Sequence, residues 1–328
     1  MRRGDAVLNV NDSLSCIESI RNEYVRFDAG NSEYWSRHDV QERLQTTVRA
    51  EIRDNLSRRL KIRSTDAYDS VSTYFKAMTR FGCTVEAVPN KILGQPRVDI
   101  LVQPDGNTSV DATFDVTFGI KCFVAAAAFP QQSVSDLALY RAARHLGKKL
   151  FERGIRGHVS LDFVAYDLDR EKVGLWAQSI SVSYEDTRSS FQAFRCLTGG
   201  RFDAVGGKFS IKDNQGSWSQ RTFVAVPNLS HACIGLMKID ELFRQCRMHG
   251  VAFDPQIGIG TALMFPGPLA TGQIGVISAD TKRKRAKSKV IKLFEFLREH
   301  VGSGFGKQDF SKDETTSYCE TKMAVKNI

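Results

Sequence analysis

The stretch GHVSLDFVAYDLDREKVGLWAQSISVSYED (157–186) sets one carboxylate, Asp162, in an alternating apolar run. Beyond a charged turn follow three alternating serines, Ser179, Ser181 and Ser183. Alternation puts Ser160, Asp162 and Val164 on one face of a first strand. In a second strand Leu175, Ala177, Ser179, Ser181 and Ser183 share a face opposite Trp176, Gln178, Ile180 and Val182. A carboxylate on one strand and two oxygen ligands at i and i+2 on its neighbour form a hard-oxygen cluster suited to Mg²⁺ bridging nucleotide phosphates. Serine hydroxyls are neutral, so they bind Mg²⁺ far more weakly than carboxylates and bring no charge to the site. A lone strand acid more often hydrogen-bonds a neighbouring backbone group or an arginine than binds a metal.

A second chemical feature is TKRKRAKSKVIKLF (281–294), with seven basic residues and no acid: Lys282, Arg283, Lys284, Arg285, Lys287, Lys289 and Lys292. It runs into a helical pattern with Val290, Phe294, Leu297 and Val301 on one face. A basic amphipathic helix suits a calmodulin-like groove, an import receptor, or an acidic surface of protein or nucleic acid. The competing and favoured reading is a helix packed on a sheet by its apolar stripe, with a solvated basic start.

Other chemistry is disfavoured by spacing. The histidines show no i,i+4 pair and no Cys/His spacing for zinc, and no GxSxG elbow occurs. TGGRFDAVGGKF (198–209) has glycines without the Lys-Ser/Thr of a phosphate loop, and hairpin turns account for it. Seven cysteines with no CxxC read as reduced thiols in a cytoplasmic protein. No apolar run reaches membrane-spanning length, and MRRGDAVLNVNDSLSCIES lacks an apolar signal region, so neither a membrane nor a secretory route is expected.

The elements that must position these groups fit in 328 residues, 42% of them hydrophobic and 21 of them Phe, enough for a sizeable core. Val40, Leu44, Val48, Ile52, Leu56 and Leu60 recur every four residues and predict a helix from Ser36 to Ile62. A second helix carries Val71, Tyr74, Phe75 and Met78 and stops near Gly82. Strands follow at Cys83–Pro89 and in a hairpin across 97–116 turning at Pro104-Asp105-Gly106-Asn107. A helix capped by Ser133 or Ser135 presents Leu139, Ala142, Ala143, Leu146 and Leu150 and ends at Gly154. Beyond the 157–186 hairpin come a helix from Ser230 to about His249, strands near 261–265 and 273–278, and a last helix over 287–301. Hairpins alternating with single helices give an α+β layout, a mainly antiparallel sheet with covering helices behind a helical N-terminal preface.

Taken in order, TVEAVP, VDILVQPDGNTSVDATFD, FPQQS, the hairpin, LTGGRFD, LSHACIGLMKIDELFRQCRMHGVAFD and GTALMF resemble the ATP-grasp ligases, and more nearly the ATP-grasp-like region of the IQ-motif-containing protein H family. The likeness covers about residues 65–300 and implies an ATP-grasp-like fold. The expected division is a loosely ordered segment 1–35, a helical preface 36–82, an ATP-grasp-like domain 83–301 and a disordered tail 302–328. By the resemblance Asp162 stands where ATP-grasp enzymes keep a metal carboxylate, and Glu86 near the hinge that meets the nucleotide. Ser179 and Ser181 stand where the enzymes need Glu and Asn, and Ser183 where many carry a basic residue. The metal site therefore looks degenerate, and the lysine-bearing lid is not recognisable in residues 1–65. No cofactor is expected unless ATP and Mg²⁺ are retained. The resemblance implies a non-catalytic interaction or scaffold module, cytoplasmic and associated with a cilium or flagellum, with an axonemal or calmodulin-like protein partner. The alternatives are an ATP-dependent carboxylate–amine ligase and a nucleic-acid or acidic-protein binder through residues 282–292. No IQ motif (Ile-Gln-x-x-x-Arg-Gly) occurs in the chain, so calmodulin binding by that route has no support.

Overall fold

Chain contacts divide the protein into two units, residues 1–87 with 120–122, and residues 88–119 with 123–328. The structure is a computed structural model. It describes residues 6–8, 22, 32–51, 60–62, 68–83, 89, 91–119, 123–169, 172–212, 216–230, 232–236, 238–265, 267, 271–301 and 312–328.

In the first unit β1 (Ala6–Leu8) precedes helices α1 (Ser32–Ser36) and α2 (His38–Glu51), and β2 (Leu60–Ile62) precedes α3 (Val71–Phe81). β1 and β2 pair antiparallel, Val7 opposite Lys61. One expectation is corrected: Leu60 belongs to β2 rather than to a helix running to Ile62. The four-residue recurrence that suggested one helix is local, whereas the β2 hydrogen bonds go to a strand more than fifty residues away. α3 starts and ends as its sequence dictates. The Ser70 hydroxyl accepts from the Thr73 amide, and Gly82 closes the helix at φ 75°.

The second unit is built on one sheet whose ladders, among the described residues, are all antiparallel. Its strands are β3 (Ile92–Gly94), β4 (Pro96–Val102), β5 (Thr108–Phe118) and β6 (Val124–Phe129), then, after helix α4 (Asp136–Glu152), β7 (Gly157–Asp169) and β8 (Lys172–Ser181). Helix α5 (Asp186–Thr198), the hairpin β9 (Arg201–Asp203) and β10 (Lys208–Lys212), and β11 (Trp218–Ser230) follow. Helices α6 (Ala232–Gly235) and α7 (Ile239–Met248) lead to β12 (Phe253–Asp254), β13 (Ile259–Met264) and β14 (Gln273–Asp280). Helix α8 (Arg283–Phe296) continues as a π-helical turn over Leu297–Val301, and α9 (Lys312–Asn327) comes last. The spatial order is β12-β13-β14-β11-β6-β5-β4-β7-β3, with β8 on β7 and the β9–β10 hairpin on β11.

Three apolar clusters fix the layers. Val98, Ile100, Val102, Val159, Leu161 and Phe163 pack under Leu139, Ala143 and Leu150 of α4. There Gly147 is required: a Cβ would lie 2.5 Å from the Thr108 side chain. Leu242 and Cys246 of α7, Val290 and Phe294 of α8, and Ala324 and Val325 of α9 cover Ala126, Ala128, Val224 and Val226 of the central strands. On the opposite face α5 and the β9–β10 hairpin enclose a phenylalanine cluster, with Phe129 stacked on Phe223 at 4.8 Å between centroids. The run VAAAAF (124–129) is thus the central strand β6, its alanines letting helix and aromatic layers approach closely on its two faces.

The tail from 302, expected to be disordered, contains α9, and residues 302–311 lie outside the described set. Ala324 and Val325 are buried in the last turns of α9, whereas composition averaged over the tail reads as polar.

Candidate functional site

The hairpin β7–β8 forms, with Asp162 opposite Ser179 and Ser160 opposite Ser181. A β-bulge at Gln178 then shifts the register, so that Phe163 faces Ala177 and Ala165 faces Leu175. Leu175 and Ala177 therefore lie on the face away from Ser179 and Ser181, correcting the single shared face expected from strict alternation. Leu175 packs with the α4-side cluster.

On the other side of β7, β4 brings Arg97 opposite Asp162 and Asp99 opposite Ser160. The Arg97 guanidinium grips Asp162 with two hydrogen bonds, Nε to Oδ1 at 2.6 Å and Nη2 to Oδ2 at 3.1 Å. The Ser179 hydroxyl donates to the same Oδ2 at 2.7 Å. Both side chains of the ion pair are nearly closed to solvent, 5% and 7% exposed. Burial works against the Arg97 charge, but its hydrogen bond to and attraction by Asp162 outweigh that and hold its pKa above the ordinary arginine value.

The network continues down the same face beneath the first turn of α5. Asp99, fully buried, accepts from Ser160 Oγ at 2.6 Å and Thr187 Oγ1 at 3.4 Å. Burial pushes its carboxyl pKa up, against the opposing pull of Arg188 and the Ser160 hydrogen bond. Arg188, fully buried on α5, donates to Asp111 Oδ2 at 2.6 Å and to the Ile100 carbonyl at 2.9 Å. Its Nη1 also meets His158 Nδ1, a contact in which the guanidinium can only donate. Burial, with the Arg188 charge second, lowers the His158 pKa against the pull of Asp111. At the end of β8, Ser181 and Ser183 each donate to Glu185 Oε1 at 2.5 Å, beside the N-terminus of α5.

This donor set does not fit a divalent cation. Arg97 and Ser179 engage both Asp162 oxygens, and the positive charge against that carboxylate is a permanent guanidinium. Ser181 and Ser183 spend their protons on Glu185. Among the described residues no group of three or more His, Cys, Asp or Glu side chains is arranged to hold a metal. Glu86 lies outside the described residues.

The basic stretch is divided by its geometry. Arg283 turns inward, its Nη1 2.6 Å from Asp115 Oδ2 and its Nη2 donating to the Pro130 carbonyl. Lys289 pairs with Asp280 at 3.5 Å, and Lys287 donates to the Lys326 carbonyl at the end of α9. Lys282, Lys284, Arg285 and Lys292 are exposed. Val290, Phe294 and Leu297 are buried against the sheet, so that apolar stripe is not open to a calmodulin-like groove. No helix among the described residues is long and apolar enough to cross a membrane.

Arg97, Asp99, Arg188 and His158 were missed as members of the cluster. The available signal was weak: two charges, Arg97 and Asp99, alternating with Val98 and Ile100 in a strand otherwise fit for burial.

Among known proteins, IQ motif-containing protein H of Danio rerio is 22% identical over 284 residues, 86% of this chain and 26% of that protein. The chain thus spans about a quarter of the length of that relative. Two solved structures show distant likeness. An N5-carboxyaminoimidazole ribonucleotide synthetase in its ADP complex is 10% identical, with a TM-score of 0.42 over 72% of this chain and 56% of that one. A biotin carboxylase–ATP-type complex from Campylobacter jejuni is 13% identical, with a TM-score of 0.42 over 73% and 54%. The model of the family described as IQCH-like, ATP-grasp matches residues 1–205, well over half of the chain, and the chain belongs to that family.

Proposed function

We propose that the chain is a non-catalytic, ATP-grasp-derived interaction module. The observation that carries this reading is the buried Arg97–Asp162 pair: the one strand carboxylate in the metal position is neutralised from within the sheet. The serines at the neighbouring positions add no charge and are turned toward Asp162 and Glu185. With Asp162 paired to Arg97 and serines at the neighbouring positions, the hairpin lacks the set of carboxylates that clamps Mg²⁺ and polyphosphate. The cilium or flagellum expected from the resemblance belongs to the same proposal, and immunolocalisation in ciliated cells tests it.

The module itself is tested by calorimetry and thermal shift with ATP, with and without Mg²⁺, on wild type and Asp162→Asn. The expected result is no saturable binding at millimolar nucleotide. Mg²⁺-dependent stabilisation by ATP that Asp162→Asn abolishes, together with ATP-dependent ligation of a carboxylate to an amine, overturns the proposal in favour of a ligase.

A further inference from the structure

The α8 surface carries more positive charge than the fold uses. Arg283 anchors the helix to Asp115, Lys289 answers Asp280, and Lys287 donates to the Lys326 carbonyl at the end of α9. Lys282, Lys284, Arg285 and Lys292 remain exposed and make no ion pair among the described residues. Lys282 is the N-cap and Lys284 and Arg285 lie in the first turn, which holds no acid. A helix N-terminus is the positive end of the backbone dipole, so cations there oppose helix stability rather than support it. Their clustering is thus unexplained by folding.

We propose that the outer face of α8 docks an acidic polypeptide segment, which names the kind of partner the interaction module takes. The face is a line of positive charge from Lys282 to Lys292, ending at exposed Glu295. Arg285 and Lys292 are seven residues apart, two turns along one side, or about 10 Å. Exposed Ser288 stands between them as a hydroxyl donor. In an extended chain, side chains on one side recur about every 7 Å, so alternate carboxylates pass the first-turn cations and then Lys292. Lys292 extends the line toward α7, its ammonium 3.7 Å from where a Cβ on Gly250 would stand. Arg247, exposed in the last turn of α7, adds to the positive field on that flank.

The chemistry favours carboxylates over nucleic acid. Phe294 and Phe296, the aromatic residues of α8, are buried, so the face offers no ring on which a base could stack. Three of its four free cations are lysines, point charges without the bidentate fork by which arginine reads guanine edges.

The test is fluorescence anisotropy of labelled poly-L-glutamate with the full chain, alongside a labelled DNA duplex at the same salt. The patch variant is Lys284→Glu/Arg285→Glu/Lys292→Glu. A variant with equal charge change elsewhere, Lys148→Glu/Arg153→Glu/Arg195→Glu, controls for net charge. The expected result is binding that weakens steeply between about 50 and 200 mM salt, loses about tenfold or more in the patch variant, and survives in the control. Equal losses in both variants, or no binding of polyglutamate at low salt, overturn the proposal. Tighter binding of the duplex through the same residues also overturns it and assigns the face to nucleic acid. If the glutamate variants melt below wild type, the glutamine versions of the same positions are read instead. Because neither ATP nor Mg²⁺ enters the assay, its outcome is separate from that of the ATP test.

Discussion

Replacing Arg97 by methionine keeps an unbranched side chain in the sheet and removes the guanidinium from Asp162. Both partners are buried, at 5% and 7% exposure, and the pair makes hydrogen bonds of 2.6 and 3.1 Å. Breaking a buried pair by deleting one partner costs about 3–5 kcal/mol, because the other charge is left without compensation. Ser179 still donates to Asp162 Oδ2 at 2.7 Å, and the carboxyl can take up a proton, so the lower end, about 3 kcal/mol, is expected. For a unit of this size that corresponds to a fall of about 6–12 °C in Tm. The double variant Arg97→Met/Asp162→Leu removes both charges and should recover most of the loss, since apolar replacements of buried pairs are often neutral or stabilising. Urea unfolding with Tm as a second readout measures all three proteins. A cost below about 1 kcal/mol for Arg97→Met, or a double variant no more stable than Arg97→Met, refutes the view that this pair is a desolvated charge lock.

Two further predictions concern His158 and α9. Because the native pKa of His158 is lowered, the unfolded chain binds more protons below about pH 6.5, and stability should fall as pH drops through that value. His158→Gln, which can still accept from Arg188, should flatten the acid-side slope of the urea midpoint, and an unchanged slope would place the titration elsewhere. Val325→Ala should cost about 2 kcal/mol in urea unfolding if α9 seals the core, whereas a solvated tail would give less than about 0.5 kcal/mol.

The local grammar of the chain carried much of this architecture. The 97–116 hairpin and α4 between Ser135 and Gly154 both follow from period, caps and turn residues within one segment. What was illegible depends on distance or on parity. Arg97 meets Asp162 across 65 residues, and no local pattern announces that partnership. The bulge at Gln178 inserts a single residue into a run that still looks regularly alternating, yet it reverses the face of everything before it. α5 went unassigned because its first turn, Asp186-Thr187-Arg188, is polar, and its buried Thr187 and Arg188 find partners only on β4, β5 and β7.

The placement of Val325 has a consequence for how the protein is made. The α4 cluster joins residues 98 to 163, so it can assemble early during synthesis from a stretch already released. The cluster over the central strands draws on residues 125 to 325, and nothing can close it until α9 has left the ribosome. For that interval Val224, Val226 and Ile274 present an apolar surface awaiting its last cover, the state in which chaperones engage nascent chains. A premature stop ahead of α9 would therefore leave a translated protein with its sheet half dressed, prone to aggregation although every strand had been made.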